Sequence, residues 1–341
     1  MPSVRPLTVA IVGATGAAGR ALVQALEESD LPVAELRLLA TERSAGAELD
    51  FRGDLLRVAP AKEGALAGAQ LAFLSAGAAV SRDWAPRARA AGAVAVDLSP
   101  AFRAAAEVPL ALPELNPEAL GRVVAGGLVA IPGPAAAHLA LALAPLHRAA
   151  GVERASTVVL EAVSGAGQRG VEELEAELRA MLSLQEPPPP TALPHRVAFN
   201  VVPQVGAAGD DGVTEEERGL AAEVRRLLGS SLAVTATALR VPVFYGHVQA
   251  VTVRTRRALG AGEARELLRH SPGVKVLDAP GEGVYPMPML AVNDEAVLVG
   301  RVRSREDGLD LVIAGDNLRA GGAGTAVAAA KILAERLFRA P

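Results

Sequence analysis

Leu7-Thr-Val-Ala-Ile-Val12 runs straight into Gly13-Ala14-Thr15-Gly16-Ala17-Ala18-Gly19, and an amphipathic stretch over 20–28 follows. The first six residues are almost wholly apolar. That pattern predicts a strand buried on both faces, as in a parallel sheet. Glycines at three-residue spacing let the backbone turn tightly and approach a pyrophosphate, which then meets a helix N-terminus. The spacing alone also arises in structural turns. Its place between a strand and a helix makes it a nucleotide-binding reading.

Working outward, 35–40, 71–75 and 94–98 read as further strands, with a helix over 84–91. Strands alternating with helices predict an α/β, Rossmann-type, doubly wound parallel sheet. After Pro134 the character changes. A helix is predicted over 135–149, a strand over 155–163 and a charged amphipathic helix over 170–184. Four consecutive prolines, Pro187 to Pro190, place an extended loop over 185–195. Thr214-Glu215-Glu216-Glu217 is a capping-box pattern that opens a helix. Stretches 232–242, 248–255, 296–302 and 310–314 read as strands of an antiparallel or mixed sheet, and 324–339 as a last helix. The expected organisation is a nucleotide-binding domain over 1–130, joined by the C-terminal helix of 316–341, and an α+β domain over 131–315.

The chain has 341 residues, half of them apolar, which suits two domains. A net charge of −4 gives no electrostatic reason to expect nucleic acid. There is no cysteine, which excludes disulfides, thiolate metal sites and cysteine nucleophiles. The histidines, at 138, 147, 195, 247 and 270, do not pair at metal-ligand spacing, so no metal is expected. The most apolar region, 123–146, is broken by glycines and prolines and does not read as a membrane span. With no signal-type N-terminus, the expectation is a cytoplasmic protein.

The second strand runs into Thr41-Glu42-Arg43-Ser44. An acid at this tip accepts the ribose hydroxyls of NAD, whereas arginine and hydroxyls suit the 2′-phosphate of NADP. Thr41, Arg43 and Ser44 favour NADP(H). Glu42 leaves NAD as the alternative.

Several segments together resemble the aspartate-semialdehyde dehydrogenase family. They are Val12-Gly-Ala-Thr-Gly16, Arg43-Ser-Ala-Gly46, Phe73-Leu-Ser-Ala-Gly77, Asp97-Leu-Ser-Pro-Ala-Phe-Arg103 and Leu112-Pro-Glu-Leu-Asn-Pro117. Further along come Phe199-Asn-Val-Val-Pro-Gln204, Arg240-Val-Pro-Val-Phe-Tyr-Gly-His247 and Asp316-Asn-Leu-Arg-Ala-Gly321. The resemblance implies an enzyme that interconverts an acyl phosphate and a semialdehyde through a cysteine thioester, with NADP as hydride acceptor. It also implies a homodimer built through the sheet face of the second domain. It places the cofactor on Gly13 to Gly19, Thr41, Arg43, Ser44, Ser75, Ala76, Gly77 and Asn317. Arg240 corresponds to the arginine that binds the substrate carboxylate, and His247 to the acid–base histidine. Arg103 corresponds to a phosphate-binding arginine. Glu216 stands where the family binds the substrate amine, and Arg218 where a lysine binds phosphate. Without the family, His247 would read as a structural histidine and Arg240 as a surface charge.

The nucleophile does not carry over. Where the family has Asn-Cys-Ser-Thr, this chain has Ile131-Pro-Gly-Pro-Ala-Ala-Ala-His138, which puts Pro134 at the cysteine position. Glu161 stands where the family has a substrate-positioning glutamine. A carboxylate there repels an anionic substrate unless it is protonated or paired. The chain is closest in character to the usg-type paralogues, which keep the fold and alter the nucleophile loop. Three readings follow. One is an NADP(H)- and anion-binding homologue without thiol chemistry, acting alone or with a paralogous active dehydrogenase. Another is an oxidoreductase working by direct hydride transfer with His247 as general acid. The third is an ordinary aspartate-semialdehyde dehydrogenase of amino-acid biosynthesis, which the missing thiol opposes.

Overall fold

The computed structural model describes residues 4–339. The chain divides into two units, 1–133 with 321–341, and 134–320.

In the first unit, β1 (Leu7–Val12) leads through the glycine loop to α1 (Ala17–Glu28) and β2 (Val33–Ala40). A hairpin follows, β3 (Glu48–Phe51) and β4 (Asp54–Arg57), and then a short edge strand, β5 (Ala59–Pro60). Next come β6 (Leu71–Leu74), α2 (Ala78–Ala90), β7 (Val94–Asp97) and β8 (Leu128–Ala130). The sheet is wholly parallel, in the order β5-β2-β1-β6-β7-β8. Every residue of β6 and β7 is buried, as a parallel sheet covered on both faces requires. α2 starts six residues before the expected 84, because Gly77 at φ +92° gives the turn that opens it.

In the second unit, α3 (Pro134–Ala150) is buried nearly all round, the state of a helix that is apolar on every side. It leads to β9 (Val152–Glu161), α4 (Gln168–Leu182), α5 (Glu215–Leu228), β10 (Ala233–Arg240) and β11 (His247–Thr255). The unit continues with α6 (Ala261–Arg269), β12 (Val274–Val276), α7 (Pro288–Ala291), β13 (Val297–Arg305) and β14 (Gly308–Gly315). The sheet is mixed, in the order β10-β9-β11-β14-β13-β12, with β10/β9 and β12/β13 parallel. Both halves of the capping box at Thr214 and Glu217 form.

The C-terminal helix, α8 (Ala323–Leu337), returns to the first unit. Its Ala326, Ala330 and Leu333 join Leu22 and Leu26 of α1 in one apolar core. Each leucine so buried contributes roughly 2 kcal/mol. Among the described residues no helix is long and apolar enough to cross a membrane.

Candidate functional site

The first unit gathers the expected cofactor residues other than Asn317 at one end of its sheet. The chain passes from β1 outward to β2 and returns on the other side of β1 as β6. This makes the carboxyl ends of β2, β1 and β6 the switch point where open α/β sheets hold ligands. The glycine loop, Thr41 to Ser44 and Ser75 to Gly77 leave from those three ends. Gly13 has φ +97°, and a Cβ there would lie 2.9 Å from the Ala76 backbone nitrogen. A Cβ on Gly19 would lie 2.1 Å from the Gly13 carbonyl oxygen. Both glycines are therefore required by close approach. α1 begins without a side-chain cap and without an acid in its first turn, which leaves its N–H groups for an anion. Ser75 Oγ is tied to the Val12 carbonyl at 3.0 Å. Arg43 is exposed and makes no side-chain hydrogen bond or ion pair among the described residues. Glu42 sits at the surface, 3.4 Å from Lys62. These features fit a dinucleotide.

Arg103, also in this unit, donates from Nε to Ile131 O at 2.9 Å and from Nη2 to Leu98 O at 2.7 Å. It braces the backbone that leads into α3.

The second unit gathers three of the expected substrate residues through strand register. Arg240 and Glu161 are paired neighbours at the ends of β10 and β9. His247 opens β11, which runs antiparallel to β9 and pairs Val248 with Leu160. All three side chains occupy inward positions of alternating strands. Arg240 Nη1 lies 3.1 Å from Glu161 Oε2 and donates to Ala162 O at 2.6 Å. His247 Nε2 lies 4.0 Å from the same Glu161 oxygen, too far for a hydrogen bond. The His247 Nδ1 accepts from the Ala162 N–H at 3.2 Å, so the neutral ring carries its proton on Nε2. A Cβ on Gly165 would fall 2.6 Å from Arg240 Nη1, so a larger residue there would have to displace the guanidinium.

Burial sets the protonation of this cluster. Burial, with help from the nearby Glu216 charge, pushes the Glu161 carboxyl up to about 8 despite Arg240 beside it. Burial, then His138 and Arg240, holds His247 well below the usual histidine range. Burial takes His138 down to about 4. His138 is fully enclosed on α3, with Nε2 2.9 Å from Ala320 O.

Other expected residues stand elsewhere. Arg218 is half exposed and forks onto Asp211 at 2.8 and 3.2 Å, away from the cluster. Asn317 belongs to the second unit. Its Oδ1 accepts from the Gly246 N–H at 2.9 Å, and its amide also bonds Ser164. Asn317 thereby holds the turn before His247. Pro134 is the first residue of α3, a position where proline fits because its missing N–H has no helical partner. Gln249 belongs to none of the sequence motifs. It is fully buried and bonds Thr157 Oγ1 and the Ala135 carbonyl, tying β11 to the start of α3. A polar residue at an inward position, two after His247, is the one signal the chain offers for it.

Residues 8–123 match the family model described as "Semialdehyde dehydrogenase, NAD binding domain", and 143–320 the model "Semialdehyde dehydrogenase, dimerisation domain". The aspartate-semialdehyde dehydrogenase of Aquifex aeolicus is 39% identical over 330 residues, covering 95% of this chain and 97% of that one. This chain belongs to the aspartate-semialdehyde dehydrogenase family. A Vibrio cholerae aspartate-semialdehyde dehydrogenase II, solved in complex with ASA, superposes with TM-score 0.93 at 35% identity, covering 97% of this chain and 99% of that one. A probable aspartate-semialdehyde dehydrogenase from Pseudomonas aeruginosa gives 0.90 at 34%, covering 96% and 98%. Both expected halves of the fold, a Rossmann-like NAD(P)-binding domain and a mixed-sheet domain, are those of the family. This member of the family has no cysteine.

Proposed function

We propose that this protein binds NADP(H) and an anionic ligand but does not carry out thiol-dependent phosphorylating oxidation of an aldehyde. The observation that carries the reading is Pro134 at the head of α3, in a chain without cysteine. A helix N-terminus lowers the pKa of a thiol and readies it for attack. Proline offers no atom for that role, and Ala135 and Ala136 follow it. Arg218, held by Asp211 at the surface, weakens the case for a phosphate site as well.

Bound on the glycine loop, a nicotinamide cofactor would supply or accept hydride. The residues of this chain set its phosphate specificity. Replacing Arg43 by Ala should weaken NADP binding at least about tenfold and leave NAD nearly unchanged, as loss of one charge-assisted phosphate contact predicts. Calorimetric titration with both cofactors checks this, and equal losses for the two would remove the 2′-phosphate role.

One observation favours a second reading. The neutral His247 presents an Nε2–H donor. It can hydrogen-bond a carbonyl oxygen and stabilise the alkoxide that forms on direct reduction, with water supplying the proton that makes the alcohol. Such a reaction would need no phosphate.

The protein also works as a homodimer in this proposal, through the sheet face opposite α3 and α5. Val158, Thr235, Thr237, Ala250 and Thr252 line that face around a shallow cavity of about 380 Å³. Val158 is 42% exposed there. Val158→Arg should convert a dimer to a monomer in light scattering. An unchanged mass would place the interface elsewhere.

A further inference from the structure

We infer that Glu161 makes the Arg240 site take up a small monocarboxylate together with one proton, because ligand and Glu161 compete for the same guanidinium. The inference rests on the anion-binding reading above and adds the ligand's class and its proton stoichiometry.

Arg240 is only 7% exposed, and Glu161 is the side chain it is paired with. Its Nη1 is engaged by Glu161 and by the Ala162 carbonyl. Among the described residues Nε and Nη2 make no hydrogen bond. The arginine lines a cavity of about 280 Å³ whose other walls include Ala166, Leu193, Val197, Val202 and Val205. Two carboxylates of α4 fix that wall. Glu173 takes the Leu193 N–H at 3.0 Å, and Glu177 takes those of Val197 and Ala198 at 3.1 and 2.9 Å. The cavity is thus a mainly apolar, pre-formed space with Gln204 in its wall and one cationic group at its edge. An apolar body with a single carboxylate suits it, whereas a second charge would have to be buried unpaired.

Glu161 decides when that cation is available. Two buried carboxylates on one guanidinium repel each other, so ionisation of one disfavours the other. Among the described residues Glu161 Oε1 has no partner, so the protonated acid loses no hydrogen bond at that oxygen when Arg240 turns to a ligand. The charged or titratable groups facing Glu161 are Arg240 on β10, His247 on β11 and Glu216 on α5. His247 is neutral above its depressed pKa, and Glu161, not Glu216, is the carboxylate in contact with Arg240, so the linked proton belongs to Glu161. By linkage, binding weakens as pH rises through the Glu161 value, and the complex then takes up a proton.

The probe is butyrate, titrated calorimetrically into the full-length protein in buffers of different ionisation enthalpy, at about pH 6.5 and about pH 9.5, where an ordinary carboxylate is ionised throughout. The wild type should bind at least about tenfold more weakly at the higher pH and take up about one proton there. Glu161→Gln, isosteric and uncharged, should bind equally at both pH values and more tightly than wild type at the higher one. Equal wild-type affinity at both pH values would overturn the inference, and so would an unchanged pH dependence in Glu161→Gln. The proton count comes from the wild type alone, so it stands even if the variant fails to fold. Absence of binding by both proteins at both pH values would overturn the inference and the retained anion site together. NADP binding by the other unit would be untouched by that result.

Discussion

Purified protein mixed with aspartate semialdehyde, NADP and phosphate should form no NADPH above background. The standard chemistry needs a group that adds to the aldehyde, stays attached while hydride leaves, and then departs from the acyl carbon when phosphate attacks. A thiolate meets all three demands. A hydroxyl meets the last one poorly, and a proline side chain meets none of them. Loss of a covalent nucleophile costs on the order of 10⁶ in rate. That leaves a signal below the uncatalysed drift of a nicotinamide assay. The same protein assayed with NADPH and aldehyde, without phosphate, tests direct reduction assisted by His247. A phosphate-dependent rate in the first assay would mean that a side chain other than a thiol carries the acyl group.

Arg240→Met should destabilise the fold by about 1.4 kcal/mol more near pH 9 than near pH 5, because pH 9 lies one unit above a Glu161 value of about 8. Methionine fills a similar space, so the loss is chiefly electrostatic. Without Arg240 the buried Glu161 loses the cation beside it, and its already raised pKa rises further. A carboxyl whose folded pKa lies above the unfolded value favours folding fully below the unfolded value, near 4.5. That contribution is lost as pH climbs through the folded one. The cost of the substitution therefore grows with pH. Urea unfolding at three pH values measures it. A loss of equal size at all of them would mean that packing, not charge, dominates.

Much of this molecule could be read from its chain. The step from β1 through Gly13, Gly16 and Gly19 into α1 is local, and local spacing is what a sequence displays. The same holds for the capping box at Thr214 and for the period-two runs of β9 and β11. The family motifs supplied Arg240, Glu161 and His247 as separate names. That Glu161 sits on Arg240 is a fact of register between β9 and β10, strands far apart in the chain. Alternation tells which face a residue takes, not which residue lies beside it. The hairpin of β3 and β4 is short and half charged, so its apolar signal is weak. Arg218 kept its charge but found Asp211 seven residues earlier, a turn contact that no motif marks.

In β11 the residues His247, Gln249, Val251, Val253 and Thr255 are buried, while Ala250, Thr252 and Arg254 face outward. Two messages are interleaved in nine letters, one read from each side of the ribbon. Point substitutions can edit either message alone, as a change at the inward-facing Glu161 of the neighbouring ribbon would edit one side only. Loss or gain of a single residue between His247 and Arg254, where the register with the neighbouring strands is unbroken, would swap the two messages wholesale. Divergence in this part of the chain is thus confined to replacing letters, and its length is held fixed by geometry.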